Sequence, residues 1–97
     1  MRYIKVTLST NYVGEENERI LGVADGVTDD TINEYCDELA FDNADSYGSV
    51  DRYREEMEES DIEFEDSDAY SFSIEELGNK TLKEIEEEYG EVDEIIR

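Results

Sequence analysis

Over residues 2–9 the chain alternates, with Ile4, Val6 and Leu8 set against Tyr3, Lys5 and Thr7. That period-two pattern, rich in β-branched and aromatic residues, predicts a half-buried strand. Asn11, Gly14 and Asn17 mark residues 10–17 as a turn. Residues 19–24 resume as a second strand, antiparallel to the first across a long-looped hairpin and ended by Asp25 and Gly26. The period then changes. Ile32, Tyr35, Cys36, Leu39 and Ala40, continued by Asn43 and Tyr47, recur at helical spacing. Thr28 precedes them as an N-cap, and Asp29 and Asp30 fall where the positive end of the helix dipole favours acid. Asp37, Glu38, Asp42 and Asp45 lie off the apolar stripe, and Tyr47 with Gly48 closes it. Ser49 is expected to cap a second helix reaching about Glu59, with Val50, Tyr53 and Met57 turned inward.

Alternation returns in residues 61–65, where Ile62 and Phe64 oppose Asp61, Glu63 and Glu65, predicting a third strand. After a turn at 66–68, Tyr70, Phe72 and Ile74 alternate with Ser71, Ser73 and Glu75 as a fourth, broken by Gly78 and Asn79. Thr81 and Glu84 have capping-box spacing ahead of a narrow helical stripe, Leu82, Ile85 and Tyr89, which ends at Gly90. Val92, Ile95 and Ile96 keep the tail apolar. The order β-β-α-α-β-β-α predicts one α+β domain over residues 1–97. Its sheet is small and mainly antiparallel, its helices are packed on one face, and that face carries Ile4, Val6, Leu8, Phe72 and Ile74.

Charge changes this picture most. The chain holds 30 acids against 8 bases, a formal net charge of −22. Residues 1–27 contribute four acids and three bases, so nearly all of the excess lies beyond them. Such charge with 37% hydrophobic residues leans toward disordered compositions, but the periodic apolar pattern argues for a folded domain that gains stability with salt. Coulomb repulsion disfavours direct contact with nucleic acid or an anionic membrane. No apolar run matches a membrane span or a signal-peptide core. The single Cys36 permits no internal disulfide and fits a reducing cytoplasm.

The candidate chemistry is a presented acidic surface. Residues 49–68 are the densest acidic stretch, and Asp51, Glu55, Glu58, Glu59, Asp61, Glu63 and Glu65 are its candidate binding residues, with Glu84, Glu87 and Glu88 as a second patch. Alternate strand positions would space carboxylates by about 6.6 Å, and helical neighbours by roughly 5–6 Å. Such an array can occupy the Lys/Arg channel of a nucleic-acid-binding protein and release counterions as DNA does. The competing reading is a solvated surface, or adaptation to high internal salt; against the latter, glutamate outnumbers aspartate 19 to 11 and eight isoleucines supply core positions.

Other chemistries fit less well. Asp61, Glu63, Glu65, Asp66 and Asp68 suit Ca²⁺ or Mg²⁺ in kind, but their order departs from an EF-hand loop and lacks its turn glycine, so no metal or cofactor is expected. The absence of histidine, of a phosphate-binding glycine loop and of a nucleophile elbow argues against an enzyme. Cys36 lies on the core stripe and reads as a packed residue, its neighbours Glu34, Asp37 and Glu38 opposing thiolate formation. Tyr35, Tyr53, Tyr70 and Tyr89 read as core, and Tyr12 and Tyr47 as turn residues.

The segment from Lys5 to Ile20, through Leu8, Ser9, Thr10, Tyr12, Val13 and Gly14, followed by the acidic helix at residues 29–39, resembles a group of small acidic proteins of bacteriophages and prophages. The resemblance covers about the first half of the chain and carries over no functional residue. It implies a phage origin and a host-interacting factor. Together these readings point to a DNA-mimicking inhibitor of a host defence system, directed at a basic nucleic-acid-binding protein or complex such as a CRISPR effector or a restriction enzyme. The alternative is an acidic structural or regulatory interaction protein, a homodimer, whose charge serves solubility and whose exposed apolar patch would comprise Val92, Ile95 and Ile96.

Overall fold

Strands β1 (Arg2–Thr10) and β2 (Asn17–Val23) form the expected antiparallel hairpin, with Ile4 opposite Leu21 and Leu8 opposite Asn17. In this computed structural model, which describes all of residues 1–97, β3 (Tyr70–Gly78) lies antiparallel along the other side of β1 and sets Phe72 against Leu8. A short β4 (Glu94–Ile96) runs parallel to β2, so the sheet order is β3-β1-β2-β4. The class is α+β, and the elements follow the predicted order with two local changes, at residues 61–65 and in the tail.

Helix α1 (Asp29–Ser46) starts as its sequence dictates: the Thr28 hydroxyl accepts the Thr31 N–H at 3.2 Å. It lays Ile32, Cys36 and Ala40 on the face formed by Ile4, Val6, Leu8, Leu21, Val23 and Ile96, and this is the main core. Helix α3 (Leu82–Tyr89) does not share that face. It drops Ile85 onto the opposite side of the sheet, against Tyr3, Ile20 and Leu77. The expectation of helices on one face is therefore corrected. Tyr3, Ile20 and Leu77 alternate away from the main core, and α3 removes that second apolar patch from water. Ile74, expected in the core, stands at the outer strand and is 39% exposed.

The predicted strand at residues 61–65 is absent. Helix α2 (Ser49–Glu59) instead ends in a Schellman turn. The Ile62 N–H donates to Met57 O and the Asp61 N–H to Glu58 O, with Asp61 left-handed at φ 53°. These bonds take the N–H groups of Asp61 and Ile62, the Asp68 carboxylate takes that of Glu65, and Ile62 is left 53% exposed. Phe64 recovers contact by stacking edge-on against Tyr53, with centroids 5.9 Å apart. A single 3₁₀ turn, Asp66–Ala69, then leads into β3. Because aspartate tolerates this backbone region less well than glycine, Asp61→Gly is expected to raise stability by about 1 kcal/mol, read from the urea midpoint.

α2 packs on α1 and on the hairpin tip instead of on the sheet, which draws the molecule out to 50 × 26 × 16 Å. A polar latch fixes that junction. Gly48, at φ 73°, takes the N-cap position foreseen for Ser49, and Ser49 turns inward so that its hydroxyl donates to Glu15 Oε1. The Thr10 hydroxyl donates to the same oxygen at 2.7 Å. The buried Asn43 amide donates to Glu15 O at 3.1 Å and accepts from Asn17 Nδ2 at 2.7 Å. Asn43→Ala removes both bonds and leaves the half-buried Glu15 carbonyl without its amide donor, while Asn17 keeps its bond to Tyr47. It is expected to cost about 1–3 kcal/mol, measured by chemical denaturation.

The two hydroxyl donors also hold the Glu15 carboxyl below its ordinary value of 4.5. A carboxyl whose folded pKa lies below its unfolded one contributes stability in full above the unfolded value and loses it as pH falls through the folded one. The margin in urea midpoint between the parent and Glu15→Gln is thus expected to be constant near neutrality and to shrink below about pH 4.5.

Candidate acidic binding surface

Of the 30 carboxylates, only Glu15 and Asp66 are half-buried; every other one is exposed. Exposure alone does not make a surface, so the question is which charges are already neutralised by partners in the chain. On α2, Val50 is buried and Tyr53 and Met57 are half-buried, which turns Arg52, Glu55, Glu56, Glu58 and Glu59 outward. Both arginines of this helix are engaged internally. Arg54 forks Asp66, with Nε 2.8 Å from Oδ1 and Nη2 2.5 Å from Oδ2, and reaches Asp51 Oδ1 at 3.3 Å. This bond holds the Asp66 carboxyl below its usual range and raises the affinity of Arg54 for its proton. Arg52 contacts Glu56 Oε1 at 3.2 Å and lies 4.0 Å from the centre of the Tyr12 ring, whose hydroxyl donates to Glu56 at 2.9 Å.

Glu55, Glu58, Glu59, Asp61 and Glu63 make no ion pair. They lie on α2 and the chain leaving it, so five of the seven candidates in residues 49–68 form a segment of uncompensated charge. Asp51 is partly neutralised by Arg54. Glu65 closes a capping box with Asp68 around the 3₁₀ turn, its N–H donating to Asp68 Oδ2 at 3.0 Å. Because residues 61–65 are not a strand, the regular carboxylate ladder expected for Asp61, Glu63 and Glu65 is not formed.

The second patch is separate from the first. α2 meets the hairpin tip at Tyr12, whereas α3 lies over Tyr3 at the opposite end of β1. Two of its three candidates are also committed. Glu84 completes the Thr81 capping box, and Glu88 pairs with Lys80 at 2.7 Å, which lowers the Glu88 carboxyl and raises the Lys80 ammonium. Glu87 remains unpaired. The sequence reading under-weighted α1 instead. The carboxylate of Asp37 on α1 and that of Asp66 both act, after burial, to raise the Tyr70 hydroxyl, and Tyr70 meets Phe41 edge-on at 5.7 Å. Asp37 and Asp66 thus bring acid from α1 and from the 3₁₀ turn to the same tyrosine. The signal was in the helical spacing, since Asp37, Glu38, Asp42 and Asp45 fall off the apolar stripe.

The other candidate chemistries find these settings. Cys36 is fully buried, and burial pushes its thiol up to about 11, so at neutral pH it is a packed apolar group. Asp61, Glu63, Glu65, Asp66 and Asp68 do not converge as a metal-ligand set. Tyr35, Tyr70 and Tyr89 are half-buried beside the cores, Tyr53 is half-buried against Phe64, and Tyr3 is the tyrosine that enters a core. Tyr47 is 47% exposed, its hydroxyl accepting from Asn17 at 2.9 Å. No helix is long and apolar enough to cross a membrane. No protein-family model, curated protein or solved structure matches the chain.

Proposed function

We propose that this protein is a phage-type inhibitor of host defence that works in the bacterial cytoplasm, presenting a DNA-mimicking acidic surface to a basic nucleic-acid-binding protein or complex. A CRISPR effector or a restriction enzyme is the kind of target meant. The observation that carries this reading is the uncompensated charge of Glu55, Glu58, Glu59, Asp61 and Glu63, on a helix whose two arginines are tied to other groups and on the chain leaving it. A solubility surface has no need to anchor such a helix, yet α2 is fixed through Tyr12, Ser49 and the Arg54–Asp66 fork. A pre-positioned set of carboxylates loses little freedom on binding.

The interaction is polar and charge-driven, so it needs no catalytic group, metal or cofactor. Capture from a bacterial lysate on the immobilised chain tests it. Retention of a basic nucleic-acid-binding protein at low salt, with release as ionic strength rises, is the expected result. Self-association without any such partner would overturn the proposal.

A further inference from the structure

The end of the molecule remote from α2 has a different character. Three of its large apolar side chains are exposed together: Met1 at 43%, Leu82 at 50% and Ile95 at 39%. With Tyr3 and Val92 they line a groove on the α3 side of β4, rimmed by Glu86 and Glu91. On the other side of the same strand, Tyr35 and Ile96 line a second groove, rimmed by Glu34 and Glu38. Arg97 is the one cation at either. β4 itself is the last strand of the sheet, so its outer edge has no neighbour. The Ile96 carbonyl faces inward, accepting the Ala24 N–H at 2.9 Å, and strand alternation turns the N–H and C=O of Ile95 outward.

We infer that the β4 edge is a docking site for an extended segment of a partner protein that alternates apolar and Lys/Arg side chains. A strand added to this edge would bond to the free backbone of Ile95. Because successive side chains face opposite ways, its apolar set would fall into the groove of Met1, Leu82 and Ile95, and its basic set would lie on the other face beside Glu34 and Glu38. Charge selects the occupant. A second copy would bring another net −22 and edge strands bearing Glu75, Glu76 and Glu94, whereas the basic face of such a strand is attracted by Glu34 and Glu38. The site is independent of the α2 surface and stands whether or not that surface mimics DNA.

The experiment is an NMR titration of the ¹⁵N-labelled chain with a synthetic peptide of alternating Lys and Val. A Lys–Gly peptide of equal charge is the control, and the titration is run at about 0.3 M NaCl, where the Debye length is about 6 Å, to suppress diffuse attraction. The expected result is a set of shifts centred on Ile95, Ile96, Leu82 and Tyr35, with slowed exchange of the Ile95 amide. Leu82→Ser should weaken the Lys–Val peptide about tenfold and leave the Lys–Gly control and thermal stability unchanged, since Leu82 is half exposed. Shifts spread over α1, α2 and α3 without a maximum at β4, or equal affinity for the two peptides, would overturn the inference. Sedimentation showing a dimer that Leu82→Ser dissociates would assign the groove to a second copy and overturn it as well.

Discussion

Replacing Glu58, Glu59 and Glu63 with Gln, together with Asp61→Asn, is expected to weaken binding to the basic target by about a thousandfold. None of the four side chains pairs within the chain, so each is available in full to a partner. At an interface, each close charge pair contributes far more than an exposed surface pair does, and four losses accumulate. The substitutions leave the shape almost unchanged, and asparagine tolerates the left-handed backbone of Asp61 at least as well as aspartate does. The fold should become firmer, because four repelling charges leave a surface already carrying −22. Titration calorimetry against the target and a thermal melt read the two halves of this expectation. The matching change at Glu84, Glu87 and Glu88 should have a smaller effect, since Lys80 and the Thr81 cap already hold two of those groups.

The largest effect on stability is expected for Leu21→Ala, roughly 3–5 kcal/mol. Leu21 is fully buried on a central strand, among Ile4, Val6, Leu8 and Val23 and beneath α1. Only 19 of the 97 residues are buried, so this small core leaves a margin near the low end of the usual 5–15 kcal/mol. The variant should consequently be largely unfolded at physiological temperature in low salt. Raising NaCl from about 0.02 M to about 0.5 M should restore part of the folded signal in circular dichroism, because screening relieves the self-repulsion of the native chain. Leu82→Ala, which removes a side chain of the same size from an exposed site, should change the midpoint very little.

How much of this could be read from the chain depends on whether local pattern and tertiary bonding agree. The alternation of Ile4, Val6 and Leu8 and the helical stripe from Ile32 to Ala40 are both realised, because the residues that define each period are the ones buried together. Thr28 and Thr81 cap helices as their spacing dictates. Residues 61–65 alternate equally well, but the Schellman bonds to Met57 and Glu58 claim that backbone first. In β4 the reverse holds: three residues are too few for a period, and only the parallel pairing with Leu21, Gly22 and Val23 defines the strand. That pairing buries Ile96 and leaves Ile95 at the surface, so of the apolar patch foreseen as Val92, Ile95 and Ile96 the last is lost to the core, and Leu82 and Met1 join the other two.

The candidate site divides along the same line. The outward turn of the α2 acids follows from the inward turn of Val50, Tyr53 and Met57, which the spacing already contained. Which carboxylates are spent internally could not be read from spacing. The Arg54–Asp66 fork spans twelve residues and depends on how the 3₁₀ turn meets α2, and the Tyr12–Glu56 bond spans forty-four and depends on how the hairpin tip meets it.

The most direct test of the acidic-surface account is competition between the immobilised chain and duplex DNA for the captured target. The account predicts that duplex DNA releases the target from the wild-type chain, and that the Glu58, Glu59, Asp61 and Glu63 variant retains none of it. A target that stays bound in saturating DNA, and that binds the variant as well as the parent, would contradict it.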